Sequence, residues 1–160
     1  MQELDDLTQV ASRRITGISG QIRANLIPPL WREVASYSRE KLRADLIAGV
    51  TVAVIDTGVA CYDKGGFMKG SDLAGTSCVG GWNFTGDNDL AADDHGHGTH
   101  VAGTIAQTTN NGVGVAGVAP GCKIMPIRTL GPGGGDHAQM KDAFIYAADN
   151  GAQIINYSAG

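Results

Sequence analysis

Asp93-Asp94-His95-Gly96-His97-Gly98-Thr99-His100-Val101-Ala102-Gly103-Thr104 is the stretch on which the reading of this chain turns. Its three histidines fall within six positions, and the small residues behind them read as a helix. His97 and His100 are three apart, which puts both on one helical face near the first turn. Ala102, Gly103 and Ala106 are small enough to let such a helix lie close against a sheet. An imidazole at a helix start, beside a glycine-rich approach, suits proton transfer. That role needs a carboxylate to orient the ring and a nucleophile to serve. A zinc site built from His95, His97 and His100 is the competing reading. The glycine after His97 and the small residues that follow fit close packing better than an open metal site.

Upstream, Val50 to Ile55 (V-T-V-A-V-I) is β-branched and continuously apolar, bounded by Gly49 and by Asp56-Thr57-Gly58. Such a run predicts a strand buried on both faces of a parallel sheet. Asp56 stands at its carboxyl end, where ligands gather in open α/β sheets; the alternative is an Asp that merely turns the chain. Residues 59–75 read as an irregular loop. Thr76 to Phe84 reads as a short strand pair or an extended segment, bent at Gly80-Gly81. Asp87, Asp89, Asp93 and Asp94 form either a solvated acidic loop or a set of calcium ligands.

Downstream, the helix from His97 is expected to run to about Gln107. In Thr108 to Val115, polar oxygens alternate with glycines, a composition able to wrap a hard cation. Cys122 to Leu130 reads as a second strand, although Pro126 demotes it unless its nitrogen faces an unpaired side. Gly131 to Asp136 is expected to be a flexible loop. His137 to Asn150 reads as a helix with Met140, Ala143, Phe144 and Ala147 facing inward and Gly151 as its cap. Ala152 to Tyr157 is a third strand. This alternation of strands and helices predicts right-handed crossovers and a parallel sheet.

Residues 1–27 are mixed and polar and read as an arm. After Pro28-Pro29, apolar positions recur every three or four residues from Leu30 to about Ile47, predicting an amphipathic surface helix that stops at Gly49. The division is therefore an arm and helix of unknown role, 1–47, ahead of a domain at 48–160. The whole chain has 160 residues, with 12 Lys+Arg against 16 Asp+Glu and a net charge of -4. That balance argues against a nucleic-acid partner. No apolar run nears the roughly 18 residues of a membrane span. The first residues lack the pattern of a signal peptide. The three cysteines form no C-x-x-C pair; reduced thiols are expected, with Cys61 and Cys78 as the alternative disulfide pair.

A carboxylate at a strand end that fixes the tautomer of an imidazole on the following helix, ready to deprotonate a serine, is an acyl-transfer arrangement, and Asp56 and His97 stand at such positions. The segments V-A-V-I-D-T-G-V (Val52 to Val59) and H-G-T-H-V-A-G-T (His97 to Thr104) resemble the subtilisin-like serine proteases. So do G-V-A-G-V-A-P (Gly114 to Pro120) and I-I-N-Y-S-A-G (Ile154 to Gly160). The resemblance covers about residues 48–160. It implies an α/β fold of three layers, a twisted parallel sheet with helices on both faces, incomplete on its C-terminal side. It implies that Asp56 is the catalytic acid, that His97 is the general base, and that His100 is structural. Gly133, Gly134 and Gly135 would pair with an extended peptide substrate as an added strand. Ser158, Ala159 and Gly160 would form the opposite edge of that cleft, and Asn156 is a core asparagine. Asp72, Asn111, Val113 and Val115 would hold a structural calcium ion, with Asn110 as the alternative to Asn111. The family's order is acid, base, then a serine nucleophile, and the serine's motif does not occur here. Gly75-Thr76-Ser77 copies three of its letters in the wrong place. The resemblance thus implies a peptide or protein substrate, an extracellular location, and a serine supplied by a complementing segment. The rival is a non-catalytic chain that binds calcium or peptide.

Overall fold

Val52, Ala53, Val54 and Ile55 are sealed from solvent, as an unbroken apolar run requires. They form the middle of strand β1, Thr51–Asp56, which is covered on both faces. The computed structural model describes Ser38 and residues 46–131 and 134–158. The amphipathic helix expected from Leu30 therefore lies outside the described residues, apart from a helical turn at 46–49. All the elements named below fall in one compact unit.

β1 lies between two parallel neighbours. On one side runs β4, Lys123–Arg128, with Asp56 opposite Arg128. On the other runs β7, Ile154–Tyr157, with Val52 opposite Ile154. The far side of β4 carries two short strands, β2 (Ser77–Cys78) and β3 (Trp82–Asn83). These do not pair with each other, as a hairpin would; both run parallel to β4. Pro126 sits in the middle of β4 without breaking it. The carbonyls of Ile124 and Arg128 accept from Val79 and Phe84 on the outer side, while the amides of Lys123 and Thr129 donate inward to Val50 and Asp56. Alternation then turns the Pro126 nitrogen outward, at the break between β2 and β3 where no donor is needed.

Period-two alternation along β1 and β4 sends side chains to two different layers. Val52, Val54 and Ile124 pack with Ala102 and Ala106 of helix α1, His97–Ala106. Ala53, Ile55, Met125 and Ile127 pack with Ala143 and Ala147 of helix α2, His137–Asp149. The molecule is thus an α/β fold with a helix on each face of a parallel sheet. Phe144, expected in the core, is instead 37% exposed, with its ring edge-on to Tyr157; Tyr146 takes the inward place and meets Phe84. Asp136 caps α2 by accepting from the Ala138 amide. The segment read as a flexible glycine loop contains a small antiparallel pair, β5 (Leu130–Gly131) with β6 (Gly134–Gly135).

The expectation of three reduced cysteines is corrected. Cys61 and Cys78 are joined as a disulfide, 17 positions apart, which ties the loop after β1 to β2. Both residues border the α1-side core, so packing brings together two thiols whose spacing carries no pairing signal. Cys122 is free and buried, and that burial raises its thiol pKa.

Candidate active site

Asp56 has the same parity as Val52 and Val54, so its side chain leaves the end of β1 on the α1 face. It is fully buried there. His97, the first residue of α1, donates from Nδ1 to Asp56 Oδ1 at 2.7 Å. The same oxygen accepts from the Thr57 amide at 2.7 Å, while Asp56 Oδ2 has no partner among the described residues. The imidazole keeps 45% of its side-chain surface in solvent. The hydrogen bond that His97 donates to Asp56, and the negative charge of that carboxylate, raise the His97 pKa above the ordinary 6.5; Asp93 adds a smaller push in the same direction. A carboxylate that fixes Nδ1 leaves Nε2 open as a proton acceptor.

Two glycines make this approach fit. A β-carbon on Gly98 would collide with the Gly58 carbonyl and crowd Asp56 Cβ. A β-carbon on Gly58, whose φ is +103°, would collide with the Ala92 carbonyl. The turn after β1 and the start of α1 therefore meet backbone to backbone, which places the His97 ring directly over the end of β1.

Asp93 organises this corner. Its Oδ1 accepts from the His95 amide at 3.0 Å, the Gly96 amide at 2.9 Å and the Thr57 hydroxyl at 2.9 Å. Its Oδ2 accepts from the Thr99 amide at 2.9 Å and the Thr99 hydroxyl at 2.6 Å. Thr57 Oγ1 in turn accepts from the Gly98 amide at 3.0 Å. The first amides of α1 are thus satisfied by side chains from outside the helix. Burial pushes the Asp93 carboxyl pKa up, but the bonds from Thr99, Gly96 and His95 outweigh it and hold it below its ordinary 3.8. Of the other acids of this loop, Asp87, Asp89 and Asp94 are exposed, as a solvated acidic loop requires; Asp94 also pairs with Arg128 and Asp89 with Lys64. Among the described residues, no group of three or more His, Cys, Asp or Glu is arranged to hold a metal ion. Asp93 was missed as a cap because the Gly96 kink separates it from the helix it serves. Its position four residues before His97 was the available signal.

A second polar cluster lies around Asp72, in the 3-10 turn Ser71–Leu73. The Asn111 side-chain amide donates to Asp72 Oδ1 at 2.8 Å, and the Val115 amide to Oδ2 at 3.3 Å. The Val113 amide donates to Asn111 Oδ1 at 3.1 Å. Asn111, not Asn110, faces the carboxylate, while Asn110 takes the turn with a φ of +59°. Residues 108–116 line an open hollow of about 330 Å³. The hydrogen bonds that reach the Asp72 carboxylate among the described residues come from N–H donors, the Asn111 side chain and the Val115 backbone.

Gly134 and Gly135 lie in β6, paired antiparallel with β5, and both are exposed. Ser158 follows β7, and its Oγ accepts from the Asn156 side-chain amide at 2.9 Å. Gly133, Ala159 and Gly160 fall outside the described residues. Ser77, the first residue of β2, makes no hydrogen bond to His97 among the described residues.

The parallel α/β sheet thus carries a buried carboxylate at a strand tip in contact with an imidazole at a helix start. The subtilase family model matches residues 48–160, and the chain belongs to that family. Thermitase of Thermoactinomyces vulgaris is 40% identical over 114 residues, which cover 71% of this chain and 38% of that protein. The cell wall-associated protease of Bacillus subtilis (strain 168) is 43% identical over 126 residues, covering 77% of this chain and 13% of that protein. A solved cold-adapted subtilisin-like serine proteinase superposes with a TM-score of 0.54 at 31% identity, covering 68% of this chain and 35% of that one. The chain therefore spans well under half the length of these relatives.

Proposed function

We propose that this chain carries the acid and the general base of a subtilisin-type serine endopeptidase. Asp56 holds the His97 ring in one tautomer, and His97 Nε2 takes the proton of an attacking serine. The serine comes from polypeptide outside residues 1–160, and His97 returns the proton to the leaving amine. The single observation behind this reading is the 2.7 Å bond between His97 Nδ1 and Asp56 Oδ1, with the outer ring edge open. The substrate is an extended peptide that adds a strand to β6, with Gly134 and Gly135 on one edge of the cleft and Ser158 on the other. The Cys61–Cys78 bond and the name of the cell wall-associated relative support an extracellular setting.

Asp72, Asn111, Val113 and Val115 would hold a calcium ion, which would supply structural cross-linking remote from the dyad. Calcium in hundredfold excess over its dissociation constant is expected to stabilise the chain by about 2.7 kcal/mol. No rise in melting temperature at millimolar calcium would remove the metal from this reading.

A serine-directed phosphonate tests the catalytic proposal. The 160-residue chain alone is expected to stay unlabelled, whereas the protein that includes the serine segment labels and hydrolyses peptides. Asp56→Asn in that protein is expected to lower kcat by about 10⁴-fold through the wrong tautomer. Labelling of the 160-residue chain by itself, or an Asp56→Asn variant with undiminished kcat, would defeat the assignment.

A further inference from the structure

Arg128 is 7% exposed and takes no part in either apolar layer. Its Nη1 donates to the Ala92 carbonyl and its Nη2 to Asp94 Oδ2, each at 2.8 Å. The guanidinium therefore grips the residue before Asp93 and the residue after it. Asp93 in turn receives Thr57, which holds Asp56, and the amides of Gly96 and Thr99, which flank His97. In the β1–β4 register Arg128 lies opposite Asp56, so the strand that bears the acid and the strand that bears the grip are hydrogen-bonded neighbours.

We propose that Arg128 is a positioning residue for the Asp56–His97 pair: it locks residues 92–94 against β4, so that Asp93 sets the approach of the α1 start to the end of β1. An apolar side chain of similar volume would fill the same space without the cost of burying a charge, a cost visible in the Nε, which has no partner among the described residues. What the guanidinium adds is direction, because its planar fork reaches two acceptors at once and a Lys ammonium does not. The catalytic consequence rests on the reading of Asp56 and His97 given above; the positioning itself is a property of this chain.

The test is an NMR titration of the His97 ring in the 160-residue chain, with the Nδ1 proton as a second signature. The groups facing that ring are Asp56 from β1, Asp93 from the approach loop, and the edge of His95 at a centroid distance of 6.4 Å. Removing a nearby cation raises an imidazole pKa by charge alone. Misplacement of Asp56 relative to His97 lowers it, so the sign separates the two effects. In Arg128→Met the His97 titration is expected to fall toward its ordinary value, with loss of the bonded Nδ1 proton signal. In Arg128→Lys, which keeps the charge and loses the fork, a smaller fall is expected. A variant that melts earlier but keeps the wild-type His97 titration would make Arg128 a stabilising cation only and would overturn the proposal. If Arg128→Met does not fold, the Lys variant decides alone by the same criterion. Should wild-type His97 titrate at its ordinary value, the dyad reading fails instead, which is a separate result.

Discussion

Asp56 and Asp72 are both carboxylates withdrawn from solvent on the α1 side of the molecule, yet they are held by different means. Asp56 ends a central strand, and everything that positions it comes from the sheet or from segments pressed against it: Thr57, the Gly58–Gly98 contact and the Asp93 cap. Asp72 sits in a single 3-10 turn and is met by one exposed loop, through Asn111 and Val115. That loop turns through positive φ at Asn110, Gly112 and Gly114. The first carboxylate is organised by packing that exists before any ligand arrives. The second has its partners on a segment with little buried surface, the kind of region whose order a bound ion most strengthens.

Gly98→Ala is the severest way to break this contrast. The added methyl would meet the Gly58 carbonyl, a backbone atom that cannot swing aside. A loss of about 3 kcal/mol is expected from such overpacking, together with a fall in the His97 pKa; thermal melting and the His97 titration read the two effects. An unchanged melting temperature would show that the α1 start is not held by that contact.

Gly114→Ala strikes the other region. Its methyl would collide with Asp72 Oδ2, at a backbone φ of +57° that side chains rarely adopt. The left-handed conformation alone costs about 1–2 kcal/mol. The variant is expected to lose any calcium-induced rise in melting temperature while His97 titrates as before. If His97 moves as well, the two carboxylate regions are coupled and the contrast fails.

The smallest effects come from pH. The raised His97 pKa gives a stabilisation that is full below pH 6.5 and lost as pH rises through the folded value. Catalysis by a neutral base has the opposite dependence and switches on above that same value. The lowered Asp93 pKa gives a stabilisation that is full above pH 3.8 and lost as pH falls through the folded value. Asp93→Asn is expected to shrink the acid limb of the stability profile; a profile identical to wild type would show that the Asp93 cap carries no net charge effect.

Much of the framework was legible in the chain itself. The unbroken apolar run at 52–55, β-branched and bounded by Gly49 and Gly58, reads as a strand covered on both faces, and it places Asp56 at the tip. The small residues after His97 require a helix packed close to a sheet. Other features were not legible because they depend on where distant segments meet. Arg128 reads as one more residue of a strand until Ala92 and Asp94 are seen beside it. Asp93 reads as one of four loop acids until the amides of α1 converge on it. Phe144 carries the right period for the core, but α2 presents Tyr146 there instead.

Residue order alone therefore determined the sheet-and-helix alternation, the acid at a strand end and the imidazole at a helix start, because these follow from local periodicity and from backbone geometry. Tertiary structure decided which cysteines join, which asparagine faces Asp72, and how Asp93 and Arg128 bind the corner together. Those outcomes are set by contacts between segments from 17 to 39 residues apart, and no local pattern encodes the distance across which two side chains will finally meet.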